Sequence, residues 1–129
     1  MVERNRYRQL LDVADRVIRD VLSPDEDFVV DSQYDGHVAS FGVSILLSGI
    51  RPTLAYYRGS TPKTLTVLEL IRRMILEDGF PGNGEDFSSV DKLYATVVRM
   101  TSGRREEFKS SVLDYAVVLK HVIRTYNLT

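Results

Sequence analysis

The chain has 129 residues, 43% of them hydrophobic and none of them cysteine. That is enough apolar material for one core and argues against disorder, and it excludes disulfide and thiolate chemistry. The 17 cations and 18 carboxylates leave a formal charge of −1, so net charge cannot drive attraction to nucleic acid or to a membrane.

Local charge says more than the total. Asp25, Glu26, Asp27, Asp31 and Asp35 lie in one stretch without a cation, as do Glu77, Asp78, Glu85, Asp86 and Asp91 in another. Cations gather near the N-terminus and from Arg99 onward. Residues 1–9 are polar and charged with no apolar stretch behind them, so no secretory leader is expected. The longest apolar run, Phe41 to Ile50, is too short to span a bilayer.

The spacing of Tyr7, Leu10, Ala14, Val17 and Val21 predicts a first helix from about Asn5 to Leu22. Asp12 is four residues from Arg8 and Arg16, and Asp15 is four from Arg19, which suits ion pairs along the helix. Ser23-Pro24 ends it, because proline disfavours a helical residue before it. An acidic loop is expected next. Asp31 to Asp35 resembles the opening of a calcium loop, but the twelfth position is Gly42 instead of glutamate, so that reading fails.

In the second segment Val38, Phe41 and Ile45 share one face, and Val43, Leu46 and Leu47 fill most of the rest. A helix apolar nearly all round is expected to be buried. A buried strand is rejected because no partner strand is evident and a lone strand leaves its backbone unpaired. Gly49 breaks the segment, and Pro52 opens a short helix through Tyr57. Thr61 and Pro62 start the next helix, with Leu65, Leu68, Ile71 and Ile75 as its buried face and Gly79 and Pro81 as its stop. The loop from Gly79 to Asp86 lacks the Lys-Ser/Thr of a phosphate-cradling motif.

Ser88 or Ser89 caps a fifth helix with Val90, Leu93, Val97 and Met100 inward. After Thr101-Ser102-Gly103 the last helix keeps Phe108, Val112, Tyr115, Leu119, Val122 and Tyr126 at a regular four-three spacing. The expected fold is therefore all-α, a compact antiparallel bundle of about six helices forming one domain over residues 1–129.

Catalytic chemistry is hard to assemble from this chain. His37 and His121 are its only histidines, and neither sits at metal-ligand spacing, so both read as surface or interface residues. No nucleophile is paired with a base in sequence. Neither enzyme activity nor a cofactor or metal is expected.

Basic chemistry is more suggestive. Arg104 and Arg105 fall in the first turn of the last helix, with Lys109 one turn on. A helix N-terminus is the positive end of its dipole and prefers carboxylates. Glu106 and Glu107 compensate in part, and a phosphate would do so better. Arg51 and Arg58 are seven apart and expected to share a face beside Tyr56 or Tyr57, with Lys63 shortly after, an arrangement suited to a nucleic-acid backbone. Arg72-Arg73 reads as a solubilising surface pair.

The run Leu46-Leu-Ser-Gly49-Ile-Arg-Pro-Thr-Leu54-Ala-Tyr-Tyr57, closed by Arg58, resembles the signature of the small helical subunit of type III-B CRISPR effectors, the fifth subunit of the Cmr complex. Val112 to Lys120 resembles that family's closing helix. The chain departs from the pattern with Gly42-Val43 in place of a Leu-Pro, Val118 in place of a tryptophan, and His121 in place of a basic residue.

The resemblance implies a cytoplasmic, non-catalytic subunit in antiviral defence. Copies would stack beside a guide RNA with other effector subunits and help hold the guide–target RNA duplex, away from any membrane. Arg58 and Lys120 match the family's basic positions, while Arg51, Lys63, Arg104, Arg105 and Lys109 are added from local chemistry. A helical protein–protein adaptor with no nucleic-acid role is the competing expectation.

Overall fold

Local signals decide where each helix starts. The computed structural model describes residues 3–129, of which 74% are helical. Helix α1 (Arg4–Leu22) is capped by the Glu3 carboxylate, and Ser23 closes it in the left-handed conformation ahead of Pro24. The Asp31 side chain accepts from the Gln33 amide to cap α2 (Ser32–Ser48), and Asp35 occupies its first turn, where the dipole favours a carboxylate. The acidic stretch expected to be loop therefore supplies the start of α2.

Gly49, at φ 95°, turns the chain into α3 (Ile50–Gly59). That conformation is open to glycine and strained for other residues. Thr61 and Thr64 form a reciprocal capping box for α4 (Pro62–Glu77). Ser89 caps α5 (Val90–Arg99), and Thr101 caps α6 (Ser102–Ile123).

The regular spacing in α6 is a burial pattern: Phe108, Val112, Tyr115, Leu119 and Val122 are all buried. Tyr126, expected on the same helix, lies past its end at Ile123 and is buried there with its hydroxyl on Asp15. This helix packs most heavily against α2 and α1. Helix α4 is enclosed more completely, with Val67, Leu68, Leu70, Ile71, Met74 and Ile75 in the core. Leu65, expected inside, is exposed, and Thr64 and Val67 take the inward positions. Helices α2 and α6 are antiparallel, since Asp35 pairs with Arg124 at one end and Gly42 lies over Ala116 further along.

Two departures from expectation follow from tertiary contacts. Strands β1 (Val29–Val30) and β2 (Asn127–Leu128) form a two-residue parallel pair, so a small partner strand does exist. The Asn127 amide donates to the Phe28 carbonyl at 2.8 Å and that of Thr129 to Val30 at 3.1 Å, which fastens the C-terminal segment to the α1–α2 connection. The second departure is α2 itself. Val38, Phe41 and Ile45 are buried as expected, but Val43, Leu46 and Leu47 are 54%, 68% and 81% exposed.

A polar network ties three elements of the bundle. Arg6 of α1 donates to both carboxylate oxygens of Asp78, at 3.2 and 2.9 Å, and the Tyr115 hydroxyl of α6 donates to the same carboxylate at 2.5 Å. Burial, reinforced by Asp78, pushes the Tyr115 phenol well above its ordinary pKa, so it stays a donor. Tyr115→Phe removes one bond to a charged acceptor and should cost about 1.5 kcal/mol. Urea denaturation read by circular dichroism would show it, and an unchanged midpoint would exclude a stabilising role for the hydroxyl.

Candidate nucleic-acid interface

The seven candidate cations divide by what their side chains already hold. Arg104 is spent on structure. Its guanidinium donates to Glu85 at 2.6 and 2.8 Å and to the Phe80 carbonyl at 2.9 Å, and it lies 4.0 Å from the Phe80 ring centroid. With side chains only 27% and 13% exposed, Arg104 and Glu85 form a half-buried staple. The staple presses the Phe80–Glu85 turn onto an aromatic cluster in which Phe87 and Phe108 stack at 5.9 Å. The phosphate-facing role expected of Arg104 is therefore replaced by an internal one. Its cationic charge near the start of α6 is offset by Glu85 and Glu107.

Arg72 behaves in the same way. It pairs with Glu69 and donates to the Phe87 carbonyl at 3.1 Å, so it fixes the far end of the same loop and is not a solubilising residue. Arg73 reaches back to Asp20 of α1 at 2.7 Å. On α1 the expected Asp15–Arg19 pair forms at 2.9 Å, while Arg16 turns to Glu77 of α4.

Arg58 and Arg51 share α3 but not a site. Arg58 lies over the Tyr94 ring at 4.7 Å and pairs with Asp91 at 3.7 Å, against α5. Tyr57 is buried, its hydroxyl donating to the His37 carbonyl at 2.7 Å, and burial pushes its pKa up to about 12. Lys63 is held by Asp31 at 2.8 Å and Gln33 at 2.7 Å. Lys120 lies on the α2–α6 side, remote from these. His121 Nδ1 is 2.6 Å from the Tyr7 hydroxyl.

Three cations do converge. Arg51, Arg105 and Lys109 line one open depression of about 270 Å³ where the α2–α3 corner meets the first two turns of α6. Among the described residues, neither Arg51 nor Arg105 lies within ion-pair distance of a carboxylate. Arg105 donates to the Met100 carbonyl at 2.8 Å, and its Nε is buried without a partner. Lys109 is 4.0 Å from Glu106, whose side chain is 75% exposed. Three cations against this one rim carboxylate leave the depression positive.

The start of α3 opens into the same place. Gly49 supplies no side-chain cap, and the first turn of α3 carries no acid. Pro52 has no N–H and the Thr53 amide donates to the Gly49 carbonyl, so the first two amides of α3, those of Ile50 and Arg51, join the cations there, a match for a phosphate. In sequence this was only half visible. A glycine ahead of Ile50-Arg51, with no Ser, Thr, Asp or Asn at the cap, is the signal. What brings Arg105 to it is the antiparallel α2–α6 pairing.

Among the described residues there is no group of three or more His, Asp or Glu side chains placed to hold a metal ion, and no helix is long and apolar enough to cross a membrane. Comparison of the chain with family models, curated proteins and solved structures returns no match.

The assignment of Arg104 to structure is testable. Arg104→Ala should destabilise the fold by about 2 kcal/mol, because it leaves a half-buried carboxylate and carbonyl without their donor. Arg105→Ala, losing one backbone contact, should cost less than about 1 kcal/mol. Equal losses in urea denaturation would contradict the division. Acid supplies a second check. Arg104, helped by the Gly82 amide and opposed by burial, holds Glu85 below the ordinary carboxylate range. A depressed pKa stabilises the fold above the ordinary value and ceases to do so as pH falls through the lowered one. Wild type should therefore lose stability as pH drops below about 5, and Glu85→Gln should shrink that loss. An identical acid profile for both proteins would rule out this linkage.

Proposed function

We propose that this protein is a non-catalytic, RNA-contacting subunit of a cytoplasmic ribonucleoprotein effector of the type III-B CRISPR kind, acting in antiviral defence. The observation that carries the reading is the convergence of Arg51, Arg105 and Lys109 on the uncapped start of α3. The stretch that resembles the Cmr small subunit, Leu46 to Tyr57, is the same stretch that builds this corner, which adds support. Arg51, Arg105 and Lys109 would grip backbone phosphates of the guide or target RNA. Other effector subunits and further copies of this chain would supply the remaining contacts, and cleavage would belong elsewhere.

With a formal charge of −1, the isolated chain should bind RNA weakly. About three phosphates neutralised on a single strand give a slope of roughly −2 in log affinity against log salt. Between 50 and 200 mM salt that is about a 15-fold loss of affinity for a labelled single-stranded RNA, measurable by fluorescence anisotropy. The triple variant Arg51→Glu, Arg105→Glu, Lys109→Glu should lose both binding and slope, while Arg58→Glu and Lys63→Glu should retain the slope. Salt-independent binding, or a triple variant that binds like wild type, would sink the reading. The tagged protein should also co-purify from its host with RNA and larger subunits.

One observation favours the adaptor reading instead, namely the exposed Val43, Leu46 and Leu47 on α2. It predicts association that salt does not weaken and no crosslink to RNA.

A further inference from the structure

Helix α2 has no Asp, Glu, Lys or Arg between Gly36 and Ile50, yet one side of it faces solvent. Beside that side runs a groove shared with α6. Its floor is low because Gly42 has no side chain and Ala116 a short one, with a Cβ built at Gly42 lying 3.9 Å from the Ala116 methyl. Val43 and Leu46 form one wall, and Leu113 and Val117 the other. Contiguous exposed apolar surface of this kind marks an interaction site, whereas scattered aliphatic residues do not.

The only charged lining residue is Lys120, near the Val38 end. It is half-buried, and among the described residues no carboxylate lies within ion-pair distance of it.

We propose that this groove receives an amphipathic helix of another protein, with aliphatic side chains seated between α2 and α6 and a carboxylate against Lys120. From Val38 to Leu46 the α2 wall rises about 12 Å, two turns of a docked helix, which suits anchors at i, i+3 or i+4, and i+7. Charge complementarity selects the occupant. An acid beyond the last anchor pairs with the lone cation of an otherwise uncharged surface. A second copy of this chain docked groove to groove would offer Lys120 no carboxylate from the groove lining, which carries none. A lipid surface would not depend on a carboxylate at Lys120, so binding of anionic vesicles that Leu46→Glu abolishes and Lys120→Glu leaves unchanged would overturn the proposal. The groove volume of 260 Å³ falls below the usual range for a small-molecule site. The inference stands apart from the RNA-contacting corner, which lies beyond the other end of α2.

The test is a phage-displayed library of short helical peptides on an Ala–Gln frame with one randomised face, selected against the full chain. Enriched peptides should carry aliphatic residues at i, i+3 or i+4, and i+7, with Asp or Glu one turn beyond the anchor that seats near Val38. In fluorescence anisotropy, Val43→Glu and Leu46→Glu should each weaken the best peptide by about tenfold or more while leaving the thermal melt unchanged. Lys120→Glu should reverse the preference, favouring the same peptide with Lys in place of its acid. Failure to enrich any helix, peptides that ignore Val43→Glu, or indifference to Lys120→Glu would overturn the proposal. So would concentration-dependent dimerisation of the chain abolished by Leu46→Glu, which would give the face to a second copy.

Discussion

The burial of α6 organises this molecule. Its inward stripe from Phe108 to Ile123 is covered by α1, α2 and α4, and those helices find their places by covering it. Cavities in such a stripe cost several kcal/mol each, so its register tolerates little sliding. That register also fixes the surface chemistry. With α2 antiparallel to α6, the first turns of α6 lie beside the α2–α3 corner and its later turns lie under the middle of α2. Arg105 and Lys109 thus reach the open start of α3, while Leu113, Val117 and Lys120 flank the apolar groove.

Cations on this fold do two kinds of physical work. Arg104 and Arg72 hold the segment between α4 and α5 against the core, each satisfying a backbone carbonyl and a carboxylate together. A guanidinium fork is suited to this because one rigid group reaches several acceptors. Arg51 and Arg105 have no such carboxylate, and Lys109 has only a distant one at the limit of contact. Cations left unneutralised beside a helix start are poised for an anion that the chain itself does not provide. Counting basic residues would miss this distinction, since Arg104 and Arg105 are adjacent in sequence and opposite in use.

Helix α2 shows how an apolar sequence can be split between core and surface. Phe41 and Ile45 insert beneath it, with Phe41 meeting the Tyr57 ring edge-on at 5.1 Å. Its opposite side exposes Val43, Leu46 and Leu47 beside Ser40 and Ser48, and among the described residues no element covers it. Burying the whole circumference would need another layer of structure, and the six helices supply none there. The exposed side runs down to Leu47, next to Ser48 and Gly49, which line the basic depression.

From sequence alone, periodicity and capping chemistry determined the all-α class and the ends of α1, α4 and α5. Helix α2 instead starts inside the stretch read as loop, α3 starts two residues before Pro52, and α6 stops at Ile123. Thr61-Pro62, Ser89, Gly49 and the spacing of Phe108 to Val122 act within a turn or two of the chain, so reading neighbouring residues suffices. Tertiary structure alone decided which cations stay free and which apolar residues stay outside. The partner of Arg104 is Glu85, 19 residues back, and that of Arg58 is Asp91, on another helix. The exposure of Leu47 depends on no helix being placed over it. Those outcomes are set by how whole elements pack, a property that no local window of sequence contains.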